Sequence, residues 1–379
     1  MEKPKYQITK GQFFIITFLY INADDIIRGI YAQELKQDIW ISILMAVPLS
    51  VLLFFCYSLI FKISGKDDFA SAIKSIVGRP FAFVLFVIYG LYFAFLAFLG
   101  IRDIAEVIII LMLHDIAIYM IGAAMLVVVL YGLYHGVEVF SRTTTVLFMI
   151  RIVAFVGFST LIFASNRIHF KYFLPILENG FTPLIKPTLH AAYSLPFGKL
   201  FALLIVAQYV KDREKGYRHG YYGILFAGLI LFLVTAYNIV ILGPEAMILD
   251  IRPALRISKR IDVFYLIQRL DILVILLMII MSFIKTWVLL FGAKYVLNDA
   301  FKRKNGNVIP FILCVLIVVA LMFFPGNYIA FLEFRQKIVI PYINLPFEVI
   351  IPAILIILAF FVRLIRIIKS PATRENLIQ

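Results

Sequence analysis

Charge is scarce in this chain. Only 15% of its 379 residues are Asp, Glu, Lys or Arg, whereas an ordinary globular protein carries roughly 25%. So few charges cannot coat a soluble fold of this length, and a soluble globular domain is excluded. Cysteine is nearly absent too. Cys56 and Cys314 each sit in an apolar stretch, which argues against a disulfide framework and against a zinc ribbon. The five histidines (His114, His135, His169, His190 and His219) are scattered along the chain, so no metal cluster is expected. There is no nucleophile elbow, P-loop or dinucleotide fingerprint, and no enzymatic chemistry or cofactor is expected. A basic n-region precedes the first apolar run, but no small-residue cleavage site follows it, only Asn22-Ala23-Asp24-Asp25. The first helix is therefore expected to stay in the mature protein.

What the chain has in abundance is apolar surface. Hydrophobic residues make up 63%, which excludes disorder, and mean hydropathy is +0.99. The net charge of +14 then reads as a loop bias of a membrane protein rather than as a nucleic-acid surface. A helix needs about 20 mostly apolar residues to cross a bilayer. Ten windows qualify: 9–33, 39–63, 80–112, 116–134, 143–165, 189–210, 220–243, 264–293, 308–325 and 345–368. The predicted fold class is all-α integral membrane, ten transmembrane helices forming a single polytopic domain over residues 1–379. Lys and Arg crowd the segments that include Lys3, Lys5 and Lys10, then Lys211 to Arg218, then Lys302 to Lys304 and Arg363 to Arg374. The positive-inside rule therefore puts both termini inside. Two outer connections are long, 166–188 and 244–263. The second reads as an amphipathic surface helix with Ile248, Leu249, Ile251, Leu255 and Ile257 facing lipid or protein and charges opposite.

Spans one and six carry interruptions at matching positions of two sets of five. Span one breaks at Asn22-Ala23-Asp24-Asp25, before Ile26, and span six at Ser194-Leu195-Pro196-Phe197-Gly198. Pro196 removes an amide donor, and Gly198 loosens the backbone. Freed backbone groups at membrane depth belong beside a cavity, and paired interruptions of this kind point to a central binding site. Both segments are therefore candidate ligand contacts. Tyr92 joins them, because a hydroxyl near mid-span needs a partner. Charges inside spans are costly, at least ~2.5–3.5 kcal/mol each at the bilayer centre. Arg102 and Glu106 share a helix face at i, i+4 and are expected to form a structural ion pair. Arg151 and Lys199 each need a partner or water; Lys285 is given no role. Asp24 and Asp25 would favour a ligand with an amine or several hydroxyls, or a cation, unless Arg28 neutralises Asp24.

Six short stretches resemble the B subunits of spore germinant receptors. They are Gln37-Asp38-Ile39-Trp40-Ile41, Arg102-Asp103-Ile104-Ala105-Glu106, Gly136 to Arg142, Leu174 to Gly180, Pro196-Phe197-Gly198 and Gln268-Arg269-Leu270-Asp271. They occur in the family's order over about residues 8–368. That family belongs to the amino acid–polyamine–organocation transporter superfamily. The resemblance therefore implies a five-plus-five inverted repeat (LeuT-like) with broken helices 1 and 6. It also implies a nutrient sensor in the spore inner membrane, working with an A subunit and with a C subunit that is a lipoprotein. The ligand would be a small polar germinant: an amino acid, sugar or nucleoside. Superfamily architecture and helix facing add Leu96 from span three, and Leu276 and Ile279 from span eight, as pocket walls beside Tyr92. The chain departs from the family at Ala23-Asp24-Asp25, Gly198-Lys199 and His114-Asp115, and the first two bear on the ligand. A rival expectation is a proton-coupled amino-acid permease in which Arg151 or Lys199 supplies the cation that sodium provides elsewhere. A third is a structural receptor subunit whose pocket is vestigial.

Overall fold

The computed structural model describes residues 8–23, 34–66, 68–112, 115–165, 167–249, 253–260, 270–303, 306–324 and 327–368. Regular structure among them is helical, apart from one isolated bridge between Ile8 and Val210. Helix α1 (Lys10–Asn22) opens on a capping box. The Gln12 amide donates to Thr9 Oγ1 at 3.2 Å, and the Thr9 amide donates to Gln12 Oε1 at 2.9 Å. Its apolar residues are buried on every side, with Phe13, Ile16, Phe18, Leu19 and Ile21 all fully covered. A helix apolar all round belongs at the centre of a bundle, and α1 packs there.

Helices α2 (Ile39–Ser64), α3 (Phe69–Val77) and α4 (Arg79–Leu111) follow. Helix α5 (Ile118–Ala164) has 47 residues and would run about 70 Å if straight, more than twice a ~30 Å hydrocarbon core. Gly136, at φ 81° and ψ −179°, divides it. A connection between spans four and five was expected near 135–142. The structure spends one glycine on it and resumes the helix at Val137, because only Gly enters that backbone region without strain.

Span six is split as the sequence predicts. Helix α6 (Thr182–Tyr193) and helix α7 (Phe201–Ala207) are separated by non-helical backbone over 194–200. Helix α8 (Arg213–Leu242) is N-capped by Asp212, whose carboxylate accepts from the Lys215 amide at 3.2 Å. Two short helices, α9 (Pro244–Leu249) and α10 (Pro253–Arg260), cross over to α11 (Leu270–Ala300). Leu255 and Ile257 of α10 are buried against the bundle, so of lipid and protein this apolar face meets protein there; the side chains of Ile248, Leu249 and Ile251 lie outside the described residues. Helix α11 lies along α4, where a methyl group at Gly90 would come within 2.4 Å of Leu297.

After α12 (Val308–Phe323), helix α13 (Tyr328–Phe334) runs into π-helical turns over Arg335–Asn344 and Pro346–Ile350 and then α14 (Ile351–Ile368). Pro341 and Pro346 each remove a donor from the run, and the ladder widens around them. The last two predicted spans leave residues 326–344, with Arg335 and Lys337, as a connection. Instead the helix continues through both, and Arg335 is buried 3.8 Å from Asp103. Among the described residues, six helical stretches are long and apolar enough to cross a membrane. Large apolar side chains such as Phe81, Val127, Val153 and Phe323 project outward from the bundle. A surface that apolar suits lipid, not water.

Candidate functional site

A cavity of about 80 Å³ opens where α1 ends. Its polar lining is Asn22 from α1, Asp103 from α4, Arg151 from the second half of α5, Asn238 from α8, and Ser282 and Lys285 from α11. Ala23, the C-cap of α1, also faces it, as do Leu277, Met278 and Met281 of α11. Asn238 is only 1% exposed, yet neither atom of its amide has a hydrogen-bond partner. Asn22 donates to the Phe18 carbonyl at 3.0 Å, which leaves its Oδ1 without a donor. Arg151 Nε is likewise buried and unpartnered. Each such group costs about 1–3 kcal/mol, so three around one cavity are hard to explain as packing.

The interruption in span six builds something different. Glu348, in the π-helical stretch, is completely buried and fully engaged. Its carboxylate accepts from Tyr92 at 3.0 Å and from Tyr57 at 3.3 Å, and also from the Phe201 amide at the start of α7. Tyr57 also donates to the Glu348 backbone carbonyl. Lys199, held at φ 66°, brings a positive charge to the same carboxylate. Around this knot Asn344 donates to Ser194 Oγ at 2.5 Å, Tyr89 donates to the Phe347 carbonyl at 2.8 Å, and Tyr20 of α1 donates to the Lys199 carbonyl at 3.0 Å. The unwound backbone is thus tied to α1, α2, α4 and the last helix.

These two features divide the expected site residues. Asn22, Ala23 and Arg151 line the cavity. Ser194, Leu195, Pro196, Phe197 and Gly198 do not; they are buried around the knot, as is Lys199. Tyr92 spends its hydroxyl on Glu348 and Asn344, and Leu96 is core. Leu276 is 51% exposed on the outside of α11, because the cavity face of that helix is one residue on, at Leu277. Ile279 lines a separate apolar groove beside α5. Asp24, Asp25 and Ile26 lie outside the described residues. Arg102 Nη2 donates to Glu106 at 3.1 Å, and its guanidinium also donates to the Phe324 carbonyl at 2.5 Å and sits 5.1 Å from the Phe324 and Phe331 rings. Among the described residues no three His, Cys, Asp or Glu side chains could hold a metal ion.

Sequence reasoning missed Glu348, Asn238 and the cavity role of Lys285. Glu348 had a readable signal, an acidic residue inside a span, which marks a site by default. Asn238 offered less, a single amide in the run Val234 to Leu242.

The family model described as spore germination protein matches residues 7–329. The chain belongs to that family. Spore germination protein KB of Bacillus subtilis (strain 168) is 26% identical over 360 residues, which is 95% of each chain. Spore germination protein XB of Bacillus anthracis is 24% identical over 224 residues, 59% of this chain and 61% of its own. Among solved structures, a nucleobase-cation-symport-1 family transporter in a closed conformation with bromovinylhydantoin bound matches at a TM-score of 0.62. It covers 96% of this chain and 92% of its own at 14% identity, so the likeness is one of fold. This spore germination family member is therefore built like a membrane transporter.

Proposed function

We propose that the chain is the nutrient-sensing membrane subunit of a germinant receptor, and that it binds a small polar germinant in the cavity at the end of α1 and so triggers germination. The observation that carries the proposal is the buried, unpartnered amide of Asn238 facing a cavity that also holds Arg151 and the free Oδ1 of Asn22. The architecture behind it is ten transmembrane helices in two inverted fives, with broken helices 1 and 6. Support comes from the end of α1 at Asn22, the split at 194–200 and the transporter fold. Ligand contact falls to Asn22, Ala23, Arg151, Asn238 and the adjoining α11 face. The 194–198 segment answers indirectly, through the Tyr20–Lys199 bond that joins it to α1. Occupation of the cavity would favour one arrangement of α1 over another, and neighbouring subunits would read that shift. The setting is the spore inner membrane with both termini inside, and the partners are an A subunit and a lipoprotein C subunit.

A proton-coupled permease is the second reading, favoured by Arg151 and Lys285, two cations at the cavity. Spores lacking this chain are expected to lose their response to at least one nutrient class. Proteoliposomes of the purified protein then separate the readings, since a permease accumulates labelled nutrient and a sensor need not. Unchanged germination on every nutrient would reject the receptor role.

A further inference from the structure

We infer that the apolar groove beside α5 seats one anionic phospholipid, with an acyl chain in the groove and the phosphate at its Gly136 end. The groove holds about 440 Å³ between the two halves of α5 and α11, and Met125, Gly132, Val139, Leu147, Ile279 and Phe283 wall it. Its interior suits hydrocarbon. Of the polar side chains there, His135 Nδ1 donates to the Tyr131 carbonyl at 2.9 Å and Thr143 donates to the Val139 carbonyl at 3.0 Å, so α5 itself satisfies both. Length then separates an acyl chain from a transmembrane helix of another protein. Met125 and His135 stand about 15 Å apart along the helix, which is half of a ~30 Å hydrocarbon core and the depth of one leaflet. A partner helix would pack through both leaflets, whereas one acyl chain ends where this groove does.

Charge marks the head-group end. Lys294 Nζ donates to the Leu133 carbonyl at 3.2 Å, beside the groove residue Gly132, and to Asn307 Oδ1 at 3.3 Å. Asn307 closes the connection that carries Lys302 and Arg303, both exposed. Arg142 stands about one turn past Val139. Against these four cations stand two acids. Glu138 is held by Arg142 at 2.7 Å, and Asp299 is taken by Lys74 at 2.5 Å. The far end of the groove, at Met125, Leu147 and Ile279, is apolar. A surplus of Lys and Arg at one mouth of a cleft between spans selects an anionic head group, and the apolar depth behind it takes the tail.

Native mass spectrometry of the full-length protein, extracted in mild detergent and titrated with phosphatidylglycerol or phosphatidylcholine of the same acyl chains, tests this. One phosphatidylglycerol is expected to bind saturably, with phosphatidylcholine weaker by about tenfold or more. Lys302→Gln combined with Arg303→Gln should remove most of that preference, whereas Arg363→Gln, at an exposed basic position on α14, should leave it unchanged. Val139→Trp fills the groove from an exposed position and should abolish the bound lipid. If that variant does not fold, Val128→Trp fills the groove from the other half of α5 and must do the same. Equal binding of the two lipids would overturn the inference, as would lipid that stays bound to the tryptophan variant. A head-group preference that Arg363→Gln removes as fully as the double variant does would also overturn it. A second protein chain, retained by the parent without lipid and lost from the tryptophan variant, would overturn it in favour of a helix partner.

Discussion

The bundle holds two buried polar clusters that differ in one respect. At the span-six interruption every acceptor on the Glu348 carboxylate is matched, by Tyr92, Tyr57, the Phe201 amide and the charge of Lys199. At the end of α1, Asn238 and Asn22 face a cavity with atoms that nothing answers. Both clusters are buried, so burial alone does not separate them. Satisfaction does. A matched network in a low dielectric locks a structure, whereas a mismatched one carries a penalty that only a ligand or water relieves. On the proposed reading the ligand lies beside the unmatched cluster, not at the unwound backbone.

The largest expected effect lies in the matched cluster. Glu348→Ala removes the carboxylate that accepts from Tyr92, Tyr57 and the Phe201 amide and that faces the charge of Lys199, and loss of one partner from a buried charged pair costs about 3–5 kcal/mol. Membrane abundance should collapse, with Glu348→Gln losing less; full abundance of the alanine variant would show that the network is not structural. Next comes Gly198→Ala. Its methyl group would lie 2.1 Å from the Tyr193 carbonyl oxygen and 2.3 Å from the Ser194 amide nitrogen, both backbone atoms. Overpacking of that kind costs about 1–3 kcal/mol, read as a lower unfolding midpoint. Glu106→Gln removes the charge that Arg102 faces at 3.1 Å and should cost a similar amount, about 1.5–3 kcal/mol. An altered range of effective nutrients at normal abundance would contradict that structural role. The smallest effect on stability belongs to Asn238→Leu. Its amide makes no bond, so its replacement by an apolar side chain should leave the unfolding midpoint unchanged or raised by about 1 kcal/mol equivalent. The same variant should lose ligand binding.

Much of this was legible in the sequence. The all-helical, strongly apolar architecture, the place of the span-six interruption and the Arg102–Glu106 spacing all follow from local pattern, and the six motifs pointed to the family. What the pattern could not supply was partnership across the chain. Tyr92 does need a partner at mid-span, and the structure gives it Glu348, 256 residues away. Lys199 brings its charge to the same carboxylate, while Arg151 lines the cavity. Helix phase was the other blind spot. Successive residues turn by about 100° around a helix, so facing read one position early selects Leu276 and puts an exposed side chain where Leu277 belongs. Continuity also hides in composition. Gly136 marks a one-residue hinge instead of a loop, and the prolines near Arg335 widen a helix that they seemed to end.

The germination dose–response of spores carrying Asn238→Leu, set beside Tyr92→Phe at matched protein abundance, tests the central claim most directly. Asn238→Leu should raise the half-maximal nutrient concentration by about tenfold or more, while Tyr92→Phe leaves it within about twofold of the parent. A shift in Tyr92→Phe with none in Asn238→Leu would move the ligand to the span-six interruption and contradict the account.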